Sequence, residues 1–541
     1  MIVLDDSNIS ESYPGVCSPL TCSFAEETYR LIFRRLAGRM LGRQRVAAVD
    51  EAVSQMAVAR NGRMYYRIDN WYRLLQVLPF SKRLIPVWRH SLGVTSTDLP
   101  APVRVSRWTR ARVLGRFAAT WWATPRLMVQ LADEFDEVAC AFATEFDPAD
   151  SAALRRLFGR IRAGVLRSWD VTLVNDLRAF AYTALAARLG APVTGVDPVS
   201  MRPVRALAAL RARPDVEELG ALASGDDVRR FLHAGSDLAR ELSAYLDAFG
   251  DRRPGELKLE SQTFRTNPES LVRLILARAD ADDWAATGRE SVGSVGHAAP
   301  HATVRGPLRT SVASRARQAI AFRESSRLDR SRLFGMVRGI VRALGANLAC
   351  SGYLDSEADV FYLTLAEVLG DDADWRRIVA DRKRAWAAYE HLPAQPRVVV
   401  SPGELAVPST PAPPVETGSV ETGVAGTDEA QGPLPPVVLQ GTPASAGVVV
   451  GEILVVADPG VDASGKIVVT VATDPGWVFL LMHAAGVITE RGSPLSHTAV
   501  IARELGLPAV VGVDSATVAL RTGDRVRLDA TTGRIEVVCR G

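Results

Sequence analysis

Ser496 and His497 begin the stretch of this sequence with the clearest chemical meaning. A serine in front of a helix caps it, because its hydroxyl accepts a hydrogen bond from an amide of the first turn. Gly506 and Pro508 are typical of a helix end, so a short helix with His497 in its first turn is predicted. Free amides and the positive end of the helix dipole favour a phosphate there. An imidazole at this place can act as a nucleophile whose phosphorylated form is stabilised.

The residues around His497 resemble the phosphohistidine signature of one enzyme family. The matching positions are Thr489, Glu490, Gly492, Ser496, His497, Ala502, Arg503, Glu504, Gly506, Pro508 and Gly512. This signature belongs to the swivelling domain shared by phosphoenolpyruvate synthase, pyruvate phosphate dikinase and rifampin phosphotransferase. Thr473 is similar to a threonine of the family's loop beside the histidine, whereas Ser493 replaces a usual glycine. A surface helix with an ordinary histidine is the alternative interpretation.

The resemblance implies a phosphohistidine intermediate with His497 as the catalytic residue. The histidine would take a phosphoryl group from ATP and pass it to an acceptor at a second site after the domain swings. The implied phosphate-loop and helix N-terminal residues are Thr473, Glu490, Arg491, Gly492, Ser493, Ser496, Thr498 and Arg503. Helix amides, together with Arg491 or Arg503, would stabilise charge on the phosphoryl oxygens. Arg503 lies more than one turn past His497, so a structural pairing with an acidic neighbour is the alternative.

The chain divides into three predicted regions. Residues 1–392 are mainly helical, 393–436 are rich in Pro, Gly and Thr, and 437–541 contain short β-rich runs. The predicted fold class is a mainly α N-terminal region with a small C-terminal α/β domain. The first region is expected to bind the acceptor, the second to be a flexible linker, and the third to be the swivelling phosphohistidine domain. A flexible linker of ~40 residues spans roughly 35 Å, a reach that would let the histidine visit two sites. The alternative is a disordered linker that has no role in moving the histidine.

Apolar spacing predicts the main helices and strands. Helices are expected over 24–41, 109–144, 152–189, 226–249 and 314–348. Strands are expected over 448–456, 466–471, 485–488, 509–513 and 525–528. The segment 291–306 interrupts the helical pattern and contains His297 and His301. Pro300 argues against a helix that presents both histidines to a metal, so a mobile surface loop and no metal site are expected there.

The resemblance to the family extends over nearly the whole chain. It includes the segments 8–16, 18–21, 62–67, 70–72, 249–256, 323–324 and 359–364. Asp251 stands where the family's turn has a histidine. The resemblance implies an acceptor pocket in the helical region. The acceptor-binding candidates are Arg252, Arg253, Glu256, Arg323 and Glu324, which could bind an anionic group or orient a hydroxyl. Each could instead form a structural ion pair, and His90 and His233 are candidate acceptor bases.

Two segments of the related synthases are not found in this sequence. One is the ATP-grasp domain that binds the nucleotide, and the other is the C-terminal barrel that binds pyruvate. No P-loop or glycine-rich strand–turn–helix motif is present either. The expectation is that Mg-ATP binds to a separate ATP-grasp protein, similar to the N-terminal part of phosphoenolpyruvate synthase. The acceptor is expected to be a small molecule other than pyruvate held in a barrel.

Composition limits the other function classes. At 541 residues the chain is too long for a single hydrophobic core. A net charge of +3 gives no indication of nucleic-acid binding. The five cysteines are scattered, odd in number and without metal-ligand spacing, so reduced thiols are expected. No signal peptide or run of membrane-spanning length is expected, and the predicted location is the cytoplasm.

Three functions remain open at this point. The first is a phosphotransferase component that carries a phosphoryl group on His497 from an ATP-grasp partner to a small-molecule acceptor. The second is a ligase or dehydratase component that phosphorylates its substrate to activate a carboxylate or hydroxyl. The third is a non-catalytic phosphocarrier. Accumulation of a phosphorylated product would favour the first, and free phosphate with a coupled or dehydrated product the second.

Overall fold

The computed structural model describes residues 2–6, 9–42, 49–77, 85, 106–191, 199–222, 224–253, 255–276, 306–370, 375–393, 395–401, 438–456, 461, 463–473, 477–492 and 496–541. His90, His297, His301 and most of the predicted linker lie outside these residues. The N-terminal helices are α1 (Pro19–Leu41), α2 (Asp50–Ser54), α3 (Ile68–Val77), α4 (Arg107–Glu145), α5 (Ser151–Ile161), α6 (Asp170–Arg188), α7 (Arg202–Arg211), α8 (Gly225–His233), α9 (Asp237–Phe249), α10 (Pro268–Leu276), α11 (Pro307–Cys350), α12 (Leu365–Leu369) and α13 (Trp375–Glu390). The C-terminal helices are α14 (Val478–Leu481), α15 (His497–Leu505) and α16 (Ala516–Ala519).

The strands form two separate sheets. They are β1 (Ile2–Asp5), β2 (Ala57–Arg60), β3 (Arg63–Arg67), β4 (Arg397–Val400), β5 (Val438–Gln440), β6 (Thr442–Ser445), β7 (Val448–Val455), β8 (Ile467–Thr470), β9 (Gly486–Thr489), β10 (Ala509–Val511), β11 (Arg525–Asp529) and β12 (Arg534–Cys539). The first four make a small sheet in the order β2-β3-β1-β4, and the other eight make the C-terminal sheet. A mainly helical region followed by a sheet-containing domain is the architecture that the sequence predicts.

The long helix α11 forms the centre of the helical region. It packs along α6 and also contacts α4 and α5. Phe334 of α11 meets Phe24 of α1 edge to face at 5.2 Å between ring centroids, and Phe24 lies 6.3 Å from Phe158 of α5. These three rings are almost fully buried, so they join the central helices into one apolar core.

Part of α11 is long and apolar enough to cross a membrane. Among the described residues, Leu308–Cys350 is the one helix that meets this test, contrary to the expectation that no run has that length. However, 67% of its most apolar window is buried inside the fold, and the helix carries the buried Arg338. These features are those of a core helix, because its apolar surface is covered by other helices.

Capping residues and one π-helical turn explain where the observed helices differ from the predicted ones. The helix predicted over 226–249 is two helices, because Ser236 accepts a hydrogen bond from the amide of Ala239 and starts α9 afresh. The helix predicted over 152–189 is divided by a π-helical turn at Arg162–Leu166. At α1, Ser18 caps the helix and Pro19 occupies its first position, so the helix begins earlier than its apolar pattern.

The small sheet includes residues from the range assigned to the linker. Strand β4 pairs antiparallel with β1, with Val3 opposite Val399 and Asp5 opposite Arg397. Strand β1 also pairs with β3, where Asp5 lies opposite Tyr66. Residues 397–400 are therefore part of the N-terminal fold and not of a coil.

The C-terminal sheet has the strand order β5-β12-β11-β7-β8-β9-β10-β6. Its strands β7, β8, β9 and β10 pair in parallel with one another, whereas β7 is antiparallel to β11 and β10 is antiparallel to β6. Apolar side chains cover both faces of the parallel part: Ile467 and Ile488 lie in one cluster, and Val468 and Val487 in another. The five predicted strands are confirmed. Strands β8, β9 and β10 are continuous apolar runs because they are parallel strands buried on both faces, whereas the antiparallel β11 alternates exposed and buried residues. Edge strand β6 has the sequence TPAS and β5 has the sequence VLQ, so neither gives a continuous apolar run.

Candidate functional site

The histidine helix α15 has the ends that the sequence predicts. The hydroxyl of Ser496 accepts from the amide of Ala499 at 3.4 Å. Gly506 ends the helix in the left-handed conformation with a φ of 65°. His497 is the first residue of the helix, and the structure describes its backbone but not its side chain. The first-turn amides that the cap leaves without an intrahelical partner are therefore next to His497, where an anion is favoured.

The start of α15 lies beside loops that follow two parallel strands. The amide of Glu490, just after β9, donates to the carbonyl of Thr470, the last residue of β8, at 3.1 Å. The next amide, of Arg491, donates to the carbonyl of Val471 at 2.9 Å. These bonds hold the two loops together at the carboxyl edge of the parallel strands. Ligand sites of open α/β sheets are commonly found at this edge.

Thr473 and Thr498 bring two hydroxyl groups to the histidine helix. Their Oγ1 atoms are 2.5 Å apart, and the two residues are 3% and 2% exposed. Thr498 directly follows His497, so the pair is fixed next to the first turn of α15. Hydroxyl groups in this position can donate hydrogen bonds to phosphate oxygens. The sequence resemblance named both residues, and the structure brings them into contact.

Glu490 is held by the start of α16. Its Oε1 accepts from the amide of Thr517 at 2.8 Å and from the Thr517 hydroxyl at 2.5 Å. These bonds hold the Glu490 carboxylate against α16. A carboxylate that pointed at a bound phosphate would instead repel it. Glu490 therefore shapes the loop before the histidine. The hydroxyl of Thr489 donates to the carbonyl of Arg491 at 2.7 Å and has the same effect.

Gly492 is a position where a side chain is excluded. Its φ is 133°, in a region of the backbone map that other residues rarely adopt. A Cβ added there would lie 3.1 Å from the Oγ of Ser496 and 3.4 Å from the Cβ of Val511. Gly492 therefore lets the loop pack directly on the cap of the histidine helix. Ser493, the next phosphate-loop candidate, lies outside the described residues.

Arg491 reaches across to the N-terminal segment. Its Nη1 lies 2.8 Å from the carboxylate of Asp6 and donates to the hydroxyl of Ser10 at 2.6 Å. Both charged side chains are mostly shielded, with 18% of Arg491 and 11% of Asp6 exposed. Burial raises the pKa of the Asp6 carboxyl to about 6, although Arg491 acts in the opposite direction. In this structure the Arg491 side chain therefore contacts another part of the protein.

Arg503 supports the sheet edge. Its Nη1 donates to the carbonyl of Ala444 in β6 at 2.9 Å. Burial lowers the pKa of Arg503, and the neighbouring Glu504 counteracts this effect. The residue lies in the last turn of α15, where a cation complements the helix dipole. The structure thus shows Arg503 in a structural contact and not beside the first turn of the helix.

Two of the acceptor candidates, Arg252 and Glu256, form a buried pair. Arg252 Nη1 lies 2.9 Å from Glu256 Oε1 and 3.0 Å from the hydroxyl of Ser331. The same carboxylate oxygen accepts from Ser331 at 2.5 Å. The side chains of Arg252 and Glu256 are 5% and 2% exposed, so this contact joins the turn after α9 to α11.

The side chains of the other acceptor candidates have different partners. Arg253 donates to the Ser270 hydroxyl at 3.2 Å and stacks over Phe264. Arg323 lies 3.3 Å from Asp176 and over the ring of Phe180, and Glu324 lies 3.5 Å from Arg327. The candidate base His233 contacts the carbonyl of Arg229 through Nδ1 at 2.7 Å, at the exposed end of α8. In the described parts of the chain, no group of three His, Cys, Asp or Glu residues could hold a metal ion.

A buried network around Arg338 was not indicated by the sequence. Arg338 donates to the carbonyls of Glu256 at 2.6 Å, Lys258 at 3.1 Å and Leu259 at 3.2 Å. Its Nη1 also lies 3.4 Å from the carboxylate of Asp251. A Cβ at Gly335 would lie 2.1 Å from the Cγ of Asp251, so this glycine makes room for the carboxylate on α11. The apolar pattern of α11 predicts the helix but gives no partner for its arginines.

Comparison with protein families connects these features to known proteins. Residues 462–533 match the mobile domain of PEP-utilising enzymes, and residues 181–324 match the rifampicin phosphotransferase fourth domain. The chain is a relative of the rifampicin phosphotransferases and carries a PEP-utilising mobile domain. This confirms the family resemblance of the His497 signature. Residues 438–541 are called the mobile domain below.

Individual relatives match larger parts of the chain. A rifampicin phosphotransferase of Streptomyces sviceus is 33% identical over 61% of this chain and 38% of its own length. That of Bacillus cereus is 28% identical over 56% of this chain and 35% of its own. An uncharacterized protein of Mycobacterium tuberculosis is 28% identical over 98% of this chain and 61% of its own. The chain thus spans between 35% and 61% of the length of these relatives.

Among solved structures, a chain of the holo-form of Thermococcus kodakaraensis aconitase X matches 19% of this chain at 25% identity. The match covers 98% of that chain, with a TM-score of 0.16. A TM-score this low supports no conclusion about the fold.

Proposed function

We propose that this chain carries a phosphoryl group on His497 from Mg-ATP bound by an ATP-grasp protein to a small-molecule acceptor bound by the helical region. The observation that carries this proposal is the place of His497, at the first position of a capped helix beside the carboxyl edge of parallel strands. The match of the surrounding domain to the mobile domain of PEP-utilising enzymes supports it. The cytoplasm is the proposed compartment, because cytoplasmic ATP is the phosphoryl source.

The proposed reaction has two displacements. A ring nitrogen of neutral His497 forms a bond to phosphorus while the bond between phosphorus and the departing nucleotide oxygen breaks. In the second displacement an acceptor hydroxyl oxygen forms a bond to phosphorus while the phosphorus–nitrogen bond breaks. The ring N–H proton of His497 leaves to solvent in the first displacement, and the proton of the acceptor hydroxyl restores neutral imidazole in the second. No co-reactant other than ATP and the acceptor is needed.

The chain's own residues favour both steps through charge and position. First-turn amides of α15 and the helix dipole stabilise negative charge on the phosphoryl oxygens, an interaction worth about 0.3–1 kcal/mol for the dipole alone. The hydroxyls of Thr473 and Thr498 lie beside that turn. Glu490, Gly492 and Ser496 hold the loop and the helix start in a fixed geometry. Fixed donors of this kind cost no reorganisation when charge develops.

The acceptor site is proposed to lie in the helical region. Arg252 and Glu256 bond to each other and to Ser331, so we assign them a supporting role in that region. Arg323 remains the candidate for direct contact with an anionic or hydroxyl group, because its side chain is 14% exposed and lies on the central helix α11. Its guanidinium would then exchange Asp176 for the acceptor.

The proposal predicts that labelling of His497 depends on a partner. With Mg-ATP alone the purified chain should take up no phosphate. Addition of the ATP-grasp domain of a rifampicin phosphotransferase should give one acid-labile phosphate per chain, seen as a single mass increment in intact mass spectrometry. The physical reason is that donor and carrier are separate sites joined by movement of the histidine domain. Stoichiometric labelling by Mg-ATP in the absence of the added domain would contradict this division.

A further inference from the structure

We infer that Arg491 is a positioning residue that docks the mobile domain on the N-terminal segment Asp6–Ser10. The loop before His497 is the part of the domain that makes the contact. The contact of Arg491 with Asp6 and Ser10 is called the docking contact. This inference rests on the proposed function, since it assigns the docked arrangement to the acceptor side of the reaction. It names the surface of the helical region that the histidine helix faces during transfer to the acceptor.

The geometry of the docking contact supports a specific interaction. One guanidinium nitrogen of Arg491 lies 2.8 Å from the Asp6 carboxylate and 2.6 Å from the Ser10 hydroxyl. The partners are separated by 481 residues between Ser10 and Arg491, so local chain connectivity does not impose the contact. Asp6 follows strand β1, and Ser10 lies in the helical turn Ile9–Glu11, so both acceptor groups are on ordered backbone.

The position of Arg491 connects the docking contact to the histidine. The Arg491 carbonyl accepts from Thr489, and its amide donates to the carbonyl of Val471. The next residue, Gly492, packs on the Ser496 cap of the histidine helix. Movement of the Arg491 backbone would therefore move the start of α15. A contact made by the Arg491 side chain fixes where His497 lies relative to the N-terminal segment.

Apolar packing holds the same two parts of the molecule together. A single cluster of buried apolar side chains includes Leu246, Phe264 and Ile275 of the helical region, and Trp477 and Leu481 of the mobile domain. Apolar packing holds two surfaces together but does not select how they are oriented relative to each other. A shielded ion pair does select one relative orientation. The docking contact therefore sets the orientation of a domain that apolar packing holds nearby.

The experiment measures distances between two spin labels. Cys140 and Cys539 are exposed, on the helical region and the mobile domain respectively, and Cys17 and Cys22 are buried. A Cys350→Ser background leaves Cys140 and Cys539 as the two exposed labelling sites. Double electron–electron resonance then reports the populations of docked and undocked arrangements, with no need for a phosphoryl donor.

Loss of the docking contact should shift this equilibrium. Arg491→Ala should reduce the docked-to-undocked ratio about tenfold, since it removes both the ion pair with Asp6 and the hydrogen bond to Ser10. The isosteric Asp6→Asn removes the ion pair alone and should reduce the ratio less. The double variant should be no worse than Arg491→Ala alone, because that substitution already removes the ion pair with Asp6. The control is Lys466→Ala, which removes a more exposed ion pair with Glu452 inside the mobile domain and should leave the distances unchanged. Wild-type distance distributions in Arg491→Ala and Asp6→Asn would overturn the inference, as would additive effects.

A second measurement separates this inference from the proposed function. His497 loading by Mg-ATP and the ATP-grasp domain of a rifampicin phosphotransferase should be as fast in Arg491→Ala as in wild type, or up to about tenfold faster, because docking competes with the donor site. Slower loading would place Arg491 on the donor side and overturn the inference. If the wild type is not loaded at all, the proposed function fails, while the distance measurement still decides whether Arg491 docks the domain.

Discussion

His497→Ala should abolish transfer of a phosphoryl group through this chain, with a loss of at least ~10³-fold in the rate of acceptor phosphorylation. Neither displacement can proceed without the ring nitrogen, since the methyl group of alanine offers no lone pair. The substitution should leave the fold intact, because alanine is favourable in helices and the Ser496 cap does not depend on the imidazole. Transfer would be measured with Mg-ATP and the ATP-grasp domain as donor and rifampicin as the first acceptor tested.

The matched control for this substitution is His483→Ala. His483 lies in the same domain, after α14, and is partly buried. Its carbonyl accepts from the amide of Gly465, a backbone contact that alanine preserves. The His483→Ala variant should be loaded with phosphate at nearly the wild-type rate. Retained transfer in His497→Ala, or an equal loss in both variants, would contradict the assignment of the carrier residue.

Arg338→Met should destabilise the helical region by about 3–5 kcal/mol, the cost of removing one partner from a buried charged network. Arg338 is 1% exposed and donates to the carbonyls of Glu256, Lys258 and Leu259. Methionine fills a similar volume but leaves these carbonyls and the Asp251 carboxylate with fewer partners. The measurement is the midpoint of urea unfolding, followed by far-ultraviolet circular dichroism.

Arg342→Met is the control on the same helix, one turn further along. Arg342 lies 3.4 Å from Glu357, with 27% and 56% of the two side chains exposed. Solvent screens such a pair, so its loss should cost less than about 1 kcal/mol. Equal shifts of the unfolding midpoint in both variants would show that the buried network contributes no more to stability than the exposed ion pair.

The Arg338 network also bears on the site, because the turn that it holds supports the N-terminal segment. Lys258 Nζ donates to the carbonyl of Val16 at 2.7 Å, and Glu260 accepts from the amide of Ser18 at 2.9 Å. Glu260 also accepts from the Thr21 hydroxyl at 2.5 Å. The stretch from Val16 to Thr21 is therefore held, through this turn, by the central helix.

The sequence is sufficient to predict the parts of this fold that depend on local patterns. The cap at Ser496 and the stop at Gly506 are local effects, and the structure has both. Strands β8 and β9 were predicted from continuous apolar runs, which buried parallel strands require. The π-helical turn at Arg162–Leu166 was not predicted, because nothing in the apolar spacing marks it.

Long-range polar contacts could not be predicted from the sequence. Arg491 was assigned to the phosphate site, but its partners Asp6 and Ser10 stand at the opposite end of the chain. Arg503 fits the family signature, yet the structure shows that its side chain holds β6, since the spacing between residues does not fix the direction of a side chain. Such contacts depend on how separate elements meet, and that information is not in the local pattern.

The most direct test of the account is the chemical identity of the phosphorylated residue. After loading by Mg-ATP and an ATP-grasp domain, the phosphate would be located by fragmentation mass spectrometry at neutral pH and its lability measured in acid and in base. The account predicts a phosphate on the His497 imidazole that is lost in acid and survives in base, as phosphoramidates are. An acid-stable phosphate on the neighbouring hydroxyl of Ser496, Thr498 or Thr473 would contradict it.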